Sequence, residues 1–186
     1  FFYRFYAPNN AILVISANLE FSEVINLVKK WYGDIPRRNV YLKTIPEIGI
    51  KSNQTFLEVK RDVPYDALYM VFNMCKRTGD DFPAIDLLSD ILSNGRSSRF
   101  YQNLLMKGEY FSELDAYLTG DLYSGLFVIN AVLLEGVDIK VAENAVWEEI
   151  NRLISEGISE YELQKVKNKF ISTRVFSEIS ATTKAY

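Results

Sequence analysis

The sequence predicts an α+β fold, an antiparallel sheet with helices packed on one face. Three observations predict it. Tyr65–Cys75 and Tyr110–Thr119 alternate apolar and polar residues, as half-buried strands do. Two stretches near the C-terminal end, beginning at Ile139 and Ser159, read as long helices. The order β-α-β-β-α-α-β-β-α-α places strands in neighbouring pairs with helices between them, which suits one sheet covered on one side. Residues 1–186 are expected to form a single domain cut from a longer chain, with 34–53 as an internal connecting segment. That segment holds Pro36, Pro46 and Gly49 and keeps no period.

Each element has its own signal. Asn10–Asn18 contains Ala11-Ile12-Leu13-Val14-Ile15 and predicts a buried strand. Ser22 can cap a helix whose Val24, Ile25, Val28, Trp31 and Tyr32 share a face, and Gly33 with Ile35-Pro36 stops it. Thr55–Lys60 alternates and predicts a strand, broken at Val63-Pro64. The strand Tyr65–Cys75 follows, with Leu68, Met70, Phe72 and Met74 on one side. Pro83 fits the first turn of a helix from Asp81 to Ser93, striped by Ile85, Leu88, Ile91 and Leu92. Asn94-Gly95 can take the left-handed turn that ends this helix, and Ser97 or Ser98 can cap a second over Ser97–Met106.

In Tyr110–Thr119 the alternation assigns Tyr110, Leu114, Ala116 and Leu118 to one face, and Phe111, Glu113, Asp115, Tyr117 and Thr119 to the other. Gly120–Gly125 turns the chain into a partner strand, Leu126–Leu134. Ile139, Ala142, Val146, Ile150 and Leu153 stripe a helix ended by Gly157, and Ser159 with Glu162 forms a capping box for the last one. The core is expected to include Leu68, Met70, Phe72, Leu114, Leu118, Val146 and Ile150.

Composition excludes several function classes. Hydrophobic residues are 48% of the chain and net charge is -3, so a core can form but a phosphate backbone finds no basic face. No nucleic acid is expected as partner, and no apolar run is long enough to span a bilayer. The single cysteine, Cys75, lies in an apolar run and is expected to be a buried thiol.

The chemistry the sequence lacks is equally informative. It has no histidine, so a catalytic zinc site has no imidazole ligand, and a serine or cysteine nucleophile has no imidazole base. Neither a catalytic residue nor a metal ligand is assigned. The Asp80-Asp81 pair suits a solvated helix start, where the dipole favours acids. Glu113 and Asp115 share a strand face, an arrangement that serves glycoside hydrolysis only when one carboxyl is buried. The glycines are spaced as turn residues, and no phosphate-binding loop is present.

Three segments carry a resemblance. The first is Phe2-Tyr3-Arg4-Phe5-Tyr6-Ala7-Pro8-Asn9-Asn10-Ala11 with the later Asp34-Ile35-Pro36. The second is Leu92-Ser93-Asn94-Gly95-Arg96-Ser97-Ser98-Arg99-Phe100-Tyr101, and the third runs from Ala116-Tyr117 to Gly125-Leu126-Phe127. In this order and spacing the chain resembles the C-terminal, non-zinc domain of the pitrilysin/insulinase family of metallopeptidases. That family's catalytic half carries an inverted zinc motif, H-x-x-E-H, which cannot be placed here.

Its substrate-polarising arginine and tyrosine would fall on Leu105 and Ser112, so that pair is absent too. The resemblance implies a non-catalytic domain with no cofactor of its own, and zinc in the catalytic half of the parent protein. It implies as partners that catalytic half, in the same chain or another subunit, and unfolded peptide enclosed in a chamber; a dimer is compatible with this architecture. Peptide would add as a strand at Tyr117, Leu118, Thr119 and Gly120, since pairing along a sheet edge depends on backbone groups. A different reading is an inert scaffold, because relatives of this fold serve as core subunits of respiratory complexes without proteolysis. An unrelated α+β binding domain would require the three matches to be coincidental.

Overall fold

A computed structural model describes residues 1–40 and 53–185. Of the expected connecting segment 34–53, residues 41–52 lie outside the described ones. The chain divides into two compact units, Phe1–Pro46 with Phe170–Tyr186, and Glu47–Lys169.

The larger unit holds the sheet. Its strands are β1 (Ala67–Met74), β2 (Phe111–Thr119) and β3 (Gly125–Leu133), antiparallel in the order β1-β3-β2. Leu114 lies opposite Ala131 and Ala116 opposite Ile129, while Met70 pairs with Ile129 from the other side. One sheet face therefore gathers Met70, Leu114, Ala116, Phe127, Ile129, Ala131 and Leu133, all buried. Helices α3 (Phe82–Ser93) and α4 (Ile139–Glu156) supply Leu92, Ala142, Ala145, Val146 and Leu153 to the same cluster. Phe72 meets Trp147 edge-on at 5.8 Å between centroids. Of the expected core, Met70, Leu114 and Val146 are buried, and Leu68, Phe72, Leu118 and Ile150 are half-buried against them.

Local chemistry explains the element ends. Asp138 caps α4 by accepting from the Lys140 and Val141 amides at 2.8 and 3.3 Å. Gly157, at φ +75°, ends it in a conformation that disfavours a side chain. The capping box of α5 (Glu160–Ser177) is present: the Glu162 amide donates to Ser159 Oγ at 3.2 Å, and the Ser159 amide donates to Glu162 Oε2 at 3.0 Å. Gly125 starts β3 where the ends of the three strands converge. A Cβ there would lie 2.6 Å from the Thr119 carbonyl oxygen and 2.9 Å from Met74 Cγ.

Several expectations are corrected. Phe111 is buried on the core side, because a bulge between Phe111 and Glu113 shifts the register there and reverses the alternation at that end of β2. Ser97–Met106 is not a regular α-helix: Tyr101–Leu105 forms a wide turn in which the Met106 amide donates to the Tyr101 carbonyl at 2.9 Å. This turn keeps Phe100 and Leu104 in the core while Asn103 reaches Glu149 on α4 at 2.9 Å. Neither Asn10–Asn18 nor Thr55–Lys60 pairs as a strand among the described residues, and Ile12 is 93% exposed. An apolar run or an alternating one favours extended backbone, but a strand needs a neighbour. Cys75 is half-buried rather than buried.

The smaller unit contains α1 (Phe2–Phe5), a 3-10 turn at Pro8–Asn10, α2 (Phe21–Tyr32), and α6 (Ala181–Ala185) beyond the end of α5. Glu20, not Ser22, caps α2, in a reciprocal box with Glu23. Val24, Ile25 and Val28 are half-buried, while Trp31 and Tyr32 are exposed. The Asn9 side chain mimics a strand partner for Arg38, donating to its carbonyl at 3.0 Å and accepting from its amide at 3.1 Å.

Candidate functional site

Helix α3 places Ile85, Leu88, Ile91 and Leu92 toward the core and keeps Asp86 and Asp90, one turn apart, off that stripe. Its C-terminal end lies beside β2, where Ser93 Oγ donates to the Ala116 carbonyl at 2.9 Å. That carbonyl therefore turns toward α3 rather than toward β3. Because backbone groups alternate sides along an antiparallel strand, those of Leu118 face the same way. Between α3 and this edge runs an open groove of about 650 Å³.

Arg77, Phe82, Asp86, Asp90, Ser93 and Asn94 line one wall of the groove. Asp115, Ala116, Tyr117, Leu118 and Gly120 line the other. One end is set by the approach of Arg77 and Phe82 to Gly120, where a Cβ would lie 3.3 Å from Arg77 Cδ. The Arg77 amide donates to the Asp121 carbonyl at 2.9 Å, fixing the two turns together.

The electrostatics are unbalanced. Burial pushes the Asp86 carboxyl above its usual range, and Asp90 beside it adds to the effect. Among the described residues neither carboxylate has a salt-bridge partner. Asp90 accepts from the Asn94 side chain, whose own oxygen accepts from Lys169.

A second cleft, of about 350 Å³, has the opposite character. Arg99 donates to both oxygens of Glu162 at 2.7 and 3.0 Å and to the Gly157 carbonyl at 2.8 Å. The Arg99 bond holds the Glu162 carboxyl well below its usual range, at about 2, with the Ser159 bonds adding to it against a smaller opposing effect of burial. Glu149, only 2% exposed, accepts from Asn103 and pairs with Arg152 at 3.0 Å. Ser98 was an expected cap, but its buried hydroxyl has no partner among the described residues.

The structure brings three of the four sequence-selected positions, Tyr117, Leu118 and Gly120, to the groove. Thr119 turns inward to the hairpin, where its Oγ1 accepts from the Leu126 amide at 2.9 Å. Glu113 and Asp115 are both exposed, without the burial that acid catalysis requires. Leu105 is half-buried against the core, and the Ser112 hydroxyl donates to the Val132 carbonyl at 3.3 Å. Among the described residues no group of three or more acidic or cysteine side chains is arranged to hold a metal. Sequence reading did not single out Arg77, Asp86, Asp90 or Ser93; the off-stripe spacing of Asp86 and Asp90 was the one available signal.

The family model described as the peptidase M16 inactive domain matches residues 1–170. The chain belongs to that family. The M16 inactive domain agrees with the resemblance carried by the glycine turn and hairpin, and makes this a non-catalytic domain. A protease from Helicobacter pylori matches in structure with a TM-score of 0.82 at 20% identity, over 98% of this chain and 45% of that one. An M16 inactive domain from Pseudomonas fluorescens matches with a TM-score of 0.67 at 16% identity, over 83% of this chain and 37% of that one. An inactive peptidase domain from Bordetella parapertussis matches with a TM-score of 0.59 at 20% identity, over 68% of this chain and 69% of that one. These likenesses establish the fold. This chain spans 45% of the length of the Helicobacter pylori protein. No curated protein matches the sequence.

Proposed function

We propose that this M16 inactive domain is the non-catalytic part of a zinc metalloendopeptidase, supporting the catalytic half and forming part of the chamber that holds unfolded peptide. Zinc belongs to that other half, since a chain without histidine offers no zinc site of the usual kind. Peptide adds as an extended strand to the edge of β2 in the groove beside α3. The observation that carries this reading is the open backbone edge at Leu118, facing the groove beside α3. Backbone pairing confers affinity with little sequence preference, as a chamber for varied unfolded chains requires.

The test uses the full-length protein. Leu118→Pro removes one groove-facing amide while leaving the β3 ladder in place, since proline is tolerated at an edge. The Michaelis constant for long peptides should rise about fivefold, the cost of roughly one hydrogen bond, with kcat for short peptides unchanged. Equal effects on both lengths, or none, with the fold intact by circular dichroism, would remove the peptide role.

A further inference from the structure

Helices α4 and α5 have the same length, 18 residues, yet different things fasten them to the larger unit. Helix α4 buries Ala142, Ala145, Val146 and Leu153 along one stripe. Helix α5 buries Val166 alone, with Leu163 half-buried near it. What holds its first half is polar. Glu162, Lys165 and Lys169 recur at helical spacing on the Val166 side. All three reach the loop 94–99 that follows α3. Glu162 accepts two bonds from Arg99, at 2.7 and 3.0 Å. Lys165 Nζ donates to the Ser97 carbonyl at 2.8 Å, and Lys169 Nζ donates to the Asn94 side-chain oxygen.

The three contacts weaken along the helix. The Arg99 and Glu162 side chains are 12% and 21% exposed, Lys165 is half-buried, and Lys169 is exposed. A two-point guanidinium bond shielded from water is strong. Contacts of exposed lysines are worth little and are screened by salt. The boundary of the larger unit falls just after Lys169, at the weak end. We propose that the first half of α5 is a strap held by charge, which peels from the loop 94–99 beginning at Lys169 and pivots on the Arg99–Glu162 bond while the sheet stays folded. Arg99 also holds the Gly157 carbonyl at 2.8 Å, so the α4–α5 turn keeps its place as the helix lifts. Lifting withdraws Val166 and Leu163 from their neighbours and otherwise returns polar groups to water. Opening of that kind takes less free energy than global unfolding. The strap is independent of how peptide binds at β2.

Hydrogen exchange of the full-length protein, read segment by segment in a mass spectrometer against the unfolded chain, tests it. A helical segment stripped of tertiary packing is marginal in water, so lifting appears as exchange. Raising salt from about 0.05 M to about 1 M should speed exchange of residues 163–169 about fivefold and leave β3 unchanged. Lys165→Gln with Lys169→Gln should give the same gain at low salt and remove the response to salt. Acceleration shared by β3 would mean that the whole unit unfolds, and overturns the proposal. So does a segment indifferent to both salt and the lysine substitutions. In that case Val166→Ala, by speeding the same residues, would show that apolar packing holds α5 instead.

Discussion

The two clefts of the larger unit are built from similar materials and end in different states. Both lie beside helices, and both are lined by several carboxylates. In the cleft around Arg99, Glu162 and Glu149 each meet a guanidinium, and Arg99 also clamps the Gly157 carbonyl at the α4–α5 turn. In the groove beside β2, Asp86 and Asp90 meet none among the described residues. Paired charges hold the α4–α5 turn to the rest of the unit, whereas among the described residues Asp86 and Asp90 have no direct ion pair and Asp90 is bonded only through the Asn94 side-chain amide.

The contrast can be broken most severely at Phe100. It precedes the wide turn, follows Arg99 in the chain, and is fully buried in the core cluster of the larger unit. Phe100→Ala should cost about 3–5 kcal/mol in urea unfolding. Next comes the clamp itself. Arg99→Ala leaves Glu162 without its cation and should cost about 2 kcal/mol, measured by the same unfolding experiment.

The Glu162 carboxyl sharpens that result through pH. Its folded-state value, about 2, lies below the ordinary 4.5, so the folded state binds fewer protons than the unfolded state in that window. The stabilisation is complete above pH 4.5 and drains away as pH falls toward 2. Glu162→Gln should flatten this part of the stability profile. A profile of unchanged slope would show that the Arg99 contact contributes nothing in solution.

The smallest effect has the opposite sign. Asp86 has a raised proton affinity when folded, so ionisation there weakens the fold as pH rises through its titration. Asp86→Asn should therefore raise the melting temperature slightly at neutral pH, where Arg99→Ala lowers it. If both substitutions destabilised, the distinction between a structural cleft and an open groove would collapse.

Much of this was legible in the sequence. The α4 stripe from Ala142 to Leu153, the Ser159–Glu162 box and the Asn94-Gly95 turn depend on residues close in the chain, and the structure contains all three, with Ile139 at the start of the expected stripe exposed and Gly95 at φ +85°. What failed depends on partners far away. The apolar run Ala11–Ile15 and the alternation at Thr55–Lys60 cannot say whether a neighbour exists to pair with. The bulge at Phe111 cannot be read from alternation, because one inserted residue reverses parity without altering composition. Of the groove, the sequence marks only Leu118 and Gly120 at the end of β2; its α3 wall depends on which helix lies beside that edge.

The Ser93 hydroxyl on the Ala116 carbonyl has a consequence for self-association. An unprotected edge strand invites a second copy to zip along its whole length. Here one rung is already occupied by a side chain, so a docking strand loses an acceptor at Ala116 and finds its free rungs near Leu118. The bond acts as a stop on a rail, interrupting the continuous run of free backbone groups on which two sheets would zip together.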